Sequence, residues 1–142
     1  MTPVAEPVLF TEASSPRPEL RRDWFHLIVD ASVNMDGAGV YQWSIEGEGL
    51  YVGKAKVLRK RLRDYPQNVR SMIEGRFWHG DPTKDYRAIH HQLRKAYDAE
   101  ICVVVTVLET CDAAVRSERE RWWITLRRRE EAGGGPRVLN GS

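Results

Sequence analysis

The sequence predicts a small α/β (α+β) fold in which a three-stranded, mainly antiparallel sheet is flanked by helices. Three observations carry this. Gly39 to Ile45 alternates, with Val40, Gln42 and Ser44 on one side and Tyr41, Trp43 and Ile45 on the other. Ile101 to Leu108 is an apolar, β-branched run suited to a central strand. Asp85 to Tyr97 and Asp112 to Arg129 repeat their apolar residues at helical spacing. Strands and helices in this mixture bury their apolar sides against one another as a layered sandwich.

The elements follow in order. Residues 1–18 are rich in Pro, Ser and Glu without apolar periodicity and are expected to be disordered. The remainder, 19–142, reads as a single domain of ordinary size. Its first element is a short helix from Pro18 to Asp30, with Leu20, Trp24, Leu27 and Ile28 on one stripe. The strand at Gly39 pairs through the turn Glu46-Gly-Glu-Gly49 with a second strand, Leu50 to Val52, as a hairpin. A helix from Lys54 to Tyr65 is expected to stop at Pro66, with another from Val69 to Ile73. Gly75 to Lys84 is a loop, and Gly133-Gly-Gly-Pro136 breaks the last helix before a short tail. Trp122 and Trp123 are read as core against the central strand, and Cys102 as a reduced core thiol.

Composition narrows the function classes. No apolar run approaches the length of a membrane span. Met1 to Ser15 holds Glu6 and Glu12 and no Lys or Arg, unlike a secretory signal, so a cytoplasmic protein without a membrane role is expected. Two cysteines make no disulfide framework, and no Cys/His spacing suggests zinc. The net charge of +2 is uninformative, but Lys54 to Arg70 holds seven basic residues against one acid, Asp64. A basic cluster on a near-neutral chain suits a polyanion met on one face, although a solvated helix face gives the same run.

Gly39-Val-Tyr41 and Tyr51-Val-Gly53 stand nine residues apart, followed by Lys54-Ala-Lys-Val-Leu-Arg-Lys-Arg61. Farther on come Glu118-Arg-Glu-Arg-Trp-Trp-Ile124 and Pro136-Arg-Val-Leu-Asn140. In this order and spacing the four segments resemble the GIY-YIG nucleases, among them the N-terminal nuclease domain of UvrC and phage homing endonucleases. The resemblance implies the GIY-YIG nuclease fold and a metal-dependent DNA endonuclease. It implies Mg²⁺ as cofactor, with Mn²⁺ able to substitute, DNA as partner and no small-molecule cofactor. A homodimer or an accessory specificity protein is a further expectation. A non-cleaving nucleic-acid-binding module, or a subunit whose specificity needs a partner, is the alternative.

The resemblance assigns catalytic roles to Tyr41, Tyr51, Lys54, Arg61, Glu120 and Asn140. Hydrolysis of a phosphodiester needs a base for water and positive charge at the phosphate. A tyrosine with its ordinary pKa near ~10 serves as base only beside cations. Tyr41 is the preferred base and Tyr51 a second contact, with either order open. Arg61 can fork onto two phosphate oxygens. By register against Trp123-Ile124, Glu120 rather than Glu118 is the metal ligand, and one carboxylate with waters suits Mg²⁺. Asn140 is expected to orient a water, a phosphate or a catalytic side chain by hydrogen bonding. Lys56, Arg59, Lys60, Arg63, Tyr65 and His90 are the expected nucleic-acid contacts. Tyr65 is equally a helix-end packing residue, and His90 and His91 are DNA-side or packing residues.

Overall fold

A computed structural model describes residues 24–141. The expected disorder of residues 1–18 lies outside that span, as does the first part of the expected N-terminal helix. The described elements are β1 (His26–Ile28), β2 (Gly39–Ile45), β3 (Gly49–Ala55), α1 (Leu58–Ile73), α2 (Ala88–Asp98), β4 (Val103–Thr110) and α3 (Arg116–Ala132), with single 3₁₀ turns at Trp78–Gly80 and Ala113–Val115. The fold is α+β, and its sheet has four strands in the order β1-β4-β2-β3. The hairpin β2–β3 and the pair β2–β4 are antiparallel, whereas β1 lies parallel to β4.

The fourth strand corrects the N-terminal helix. His26 to Ile28 joins the edge of β4, and Leu27 and Ile28 are 46% and 55% exposed rather than packed on the domain. A short apolar run fits either period, and pairing with a free sheet edge decided this one. Trp24 and Phe25 anchor the segment: Trp24 is stacked over Trp43 at 6.3 Å and edge-on to Tyr97, and Phe25 is edge-on to Trp43 at 5.3 Å.

Alternation along the strands makes two apolar layers. Tyr41, Trp43, Ile45 and Ala55 join Val103, Val105 and Val107 against the buried stripe of α1 (Leu58, Leu62, Tyr65, Val69) and that of α2 (Ile89, Leu93, Ala96). On the opposite side Val40, Leu50 and Val52 pack with Trp123, Ile124 and Val138. Helix α1 does not stop at Pro66 but runs through it. Proline deletes one backbone hydrogen bond, yet the stripe that Tyr65 and Val69 continue past it is buried throughout, and that packing prevails.

Helix α3 is held by its polar residues. Arg119 forks onto the Glu109 carboxylate of β4, and Trp123 Nε1 donates to the same group at 2.6 Å. Trp122 is therefore not core: it points away and is 49% exposed. Cys102 is likewise exposed rather than buried. After α3 the chain returns to the free edge of β3. Leu50 N–H donates to Arg137 O and Leu139 N–H donates to Leu50 O, at 2.8 and 2.7 Å.

Candidate active site

Beyond the point covered by this tail, the edge of β3 opens into a cleft of ≈ 170 Å³. Residues reach it from both layers. Tyr41, Tyr51 and Arg61 come from the side of α1, and Lys54, Arg116 and Glu120 from the side of α3. Five of the six residues expected at a catalytic site from the sequence, Tyr41, Tyr51, Lys54, Arg61 and Glu120, spread over 80 positions, thus meet at one end of the sheet.

The hairpin register explains the paired tripeptides. Tyr41 lies opposite Gly53 and Trp43 opposite Tyr51, so both tyrosines stand on one face. A Cβ at Gly53 would lie 2.5 Å from Tyr41 Oη, so only glycine lets the phenol lie across the neighbouring strand. Gly39 is required for a similar reason: a Cβ there would lie 2.5 Å from the Glu109 carbonyl oxygen and 2.9 Å from Leu58 Cδ1.

The two tyrosines have different surroundings. Tyr41 is 1% exposed, and its hydroxyl shares a 2.5 Å hydrogen bond with that of Tyr65. Burial first, then Tyr65, drives its pKa well above the ordinary phenol value. Tyr51 is half-buried and accepts a hydrogen bond from Arg87 at 2.6 Å. Burial raises its pKa too, but the cations Arg87 and Arg61 pull it the other way.

Lys54 does not begin a helix, as the sequence suggested. It sits in β3 opposite Val40. Strand alternation sends its side chain toward α3, where Nζ donates to Ser117 Oγ at 2.9 Å and lies 3.8 Å from Glu120 Oε1. Glu120 is 20% exposed, whereas Glu118 is open to solvent beside Arg121 and Trp122 on the outer side of α3. The cleft holds five cationic side chains, those of Lys54, Lys56, Arg61, Arg87 and Arg116, against the one carboxylate of Glu120. Such a balance selects an anion.

Arg87 and Arg116 were not foreseen. Arg87 is the residue that caps the N-terminus of α2, and its sequence neighbours give no sign that the chain turns it toward Tyr51. Arg116 opens α3 one turn before Glu120, a spacing that could have marked it.

Other expected contacts lie elsewhere. Tyr65 and His90 are 1% and 4% exposed, so neither stands on the open surface. Tyr65 sits behind Tyr41, and His90 packs against its ring at 5.4 Å. Arg59 pairs with Asp36 at 3.0 Å, and Lys60 and Arg63 are exposed on α1. Asn140 is not among the residues lining the cleft: its amide accepts from Val52 N–H at 2.9 Å and donates to Val52 O at 2.8 Å. It fastens the strand that carries Tyr51.

Residues 37–77, from the loop before β2 through the end of α1, match the family model of the UvrC-like GIY-YIG domain. Over those residues the chain is similar to a GIY-YIG domain. That domain implies nuclease-type activity in general and a nucleic-acid substrate. No curated protein and no solved structure matches the chain. The matched span of the GIY-YIG domain includes both tripeptides and Arg61 but ends before α2. Arg87, Glu120 and Asn140 therefore stand on geometry. No helix among the described residues is long and apolar enough to cross a membrane.

Proposed function

We propose that the chain is a metal-dependent DNA endonuclease that hydrolyses a phosphodiester bond at the open end of β3. One observation carries the reading: five cations surround a cleft to which two tyrosines and a carboxylate converge from opposite sides of the sheet. A phosphate entering it meets the guanidinium groups of Arg61 and Arg87, which neutralise its charge and can grip two oxygens each.

The donor chemistry fits a hard divalent cation. Glu120 faces the cleft, and the described residues contain no group of three or more His, Cys, Asp or Glu able to hold an ion by themselves. Glu120 would hold such an ion, with water and substrate oxygens as its other donors, a set that suits Mg²⁺ and that Mn²⁺ would also accept. When bound, it supplies positive charge at the phosphate.

Tyr51 is the better base, reversing the order favoured by the sequence. Its hydroxyl already accepts from Arg87, so the phenolate that must form before Tyr51 can take a proton from water has a cation in place. Tyr51 first gives its own proton to solvent. The water oxygen then bonds to phosphorus as its proton passes to the phenolate Oη, and the P–O ester bond breaks, with the departing oxygen taking a proton from solvent. Tyr41, fixed by Tyr65, positions the water or a phosphate oxygen through its hydroxyl. Lys54 is held between Ser117 and Glu120 and helps to aim the carboxylate.

Supercoiled plasmid incubated with the purified chain and Mg²⁺ should be nicked or linearised. Glu120→Gln should lower that rate by on the order of 10²–10³-fold with an unchanged melting temperature. Undiminished cutting by Glu120→Gln would remove the carboxylate from the reaction. Tight DNA binding without any cutting by the unaltered chain would leave a binding module instead.

A further inference from the structure

Beside the catalytic cleft lies a second one, of ≈ 440 Å³, which shares Arg61 and Arg87 with it. That volume falls within the range of small-ligand sites, roughly 300–1,000 Å³. Its walls are of a different kind. Trp78 and His79 bring aromatic rings and Gln67 and Asn68 bring carboxamides, while Asp64 is its one carboxylate. Rings stack on flat heterocycles, and carboxamides exchange hydrogen bonds with base edges.

The wall is braced before any ligand arrives. Tyr86 Oη donates to Arg76 O at 2.8 Å and closes the loop that carries Trp78. Trp78 itself is stacked near Tyr86 and edge-on to His90. His79, within the same turn, has φ 54°, in the left-handed region that few residues other than glycine enter.

His90 supplies a second, independent observation. It lines this cleft, is 4% exposed, and its Nε2 lies 3.2 Å from Asn68 Nδ2. The amide donates there, so the ring proton of neutral His90 sits on Nδ1, which has no hydrogen-bond partner among the described residues. Burial and the neighbouring arginines keep the ring neutral by lowering its pKa to about 4. Through that bond the buried ring holds the Asn68 carboxamide in place at the cleft wall.

We propose that the second cleft is a nucleotide pocket, which takes one unpaired base of the strand being cut next to the phosphate held by Arg61 and Arg87. The inference rests on the nuclease reading for its phosphate and on the aromatic and amide walls for its base. Inside a duplex the base is stacked and paired and cannot enter, so the preferred substrate presents a gap, flap, mismatch or extruded nucleotide at the cut.

The test uses Glu120→Gln protein, which holds DNA without turnover, and 2-aminopurine placed in a single-stranded gap or in a continuous duplex. Fluorescence should be quenched for the gap and not for the duplex, and Trp78→Ala should abolish the quench. Quenching that is equal in gap and duplex, or that survives in folded Trp78→Ala, overturns the pocket. Should Trp78→Ala fail to fold, the Glu120→Gln protein decides alone: an abasic residue at the same position should weaken binding roughly tenfold, as lost stacking predicts, and equal affinity rejects the proposal. Because none of these readouts requires cleavage, a chain that quenches but never nicks plasmid loses the nuclease reading and keeps the pocket, and one that nicks but ignores the abasic site does the reverse.

Discussion

At the residue scale, the line Tyr41–Tyr65–His90 behind the cleft is made of groups that the protein keeps uncharged. His90 takes a proton near 6.5 when unfolded but only at about 4 when folded, so folding disfavours its charged form. The neutral ring's contribution to stability is thus fully present above about pH 6.5. It is lost as pH falls toward 4, by on the order of 3 kcal/mol in all. Melting temperature should drop across that window, and His90→Gln should flatten the drop. A histidine resonance from position 90 that titrates near 6.5 in the folded protein would contradict this account. Much of this scale was legible. Tyr41, Tyr51, Arg61 and Glu120 stand in the cleft, because the tripeptides and the register of Trp123-Ile124 fixed their addresses. Arg87 was not legible, because its role depends on how a loop delivers α2 to β3, which no local pattern records.

Among the elements, the strands were easier to read than the helices around them. β2 has the bounds that alternation predicts, and Val103–Thr110 overlaps the expected central run. Lys54 was assigned to a helix because its side-chain spacing to Leu58 and Arg61 is helical, yet β3 extends to Ala55 and sends it to α3 instead. Pro66 was taken as a stop because local rules weigh the lost hydrogen bond, not the buried stripe that outweighs it. The tail shows a side chain doing the work of a strand: Asn140 pairs with both backbone groups of Val52. Asn140→Ala leaves those two groups without their partner, at a cost of about 1–3 kcal/mol. Hydrogen exchange should report it as faster exchange of the Val52 amide, with smaller changes in β4. Unchanged protection at Val52 would mean that the tail is held by its backbone bonds to Leu50 alone.

For the molecule as a whole, positive charge continues from the cleft along the exposed side of α1. Lys60 and Arg63 are exposed and do not line the cleft. Each phosphate they neutralise releases a counterion, so DNA affinity should fall with salt. Replacing both by Ala should reduce the slope of log K against log salt by roughly 2 while the cutting rate at saturating DNA stays the same. A slope that does not move would show that DNA lies on another face. One consequence of the hairpin remains. Tyr41 faces Gly53 across two paired strands, and the chain between them merely goes out to a tip at Glu46–Glu48 and returns. Separation along the chain is thus exchanged for a single interstrand step of about 4.7–4.9 Å. The arithmetic of the motif lives in the pairing: a longer or shorter tip that preserved the register would leave both phenols where they are.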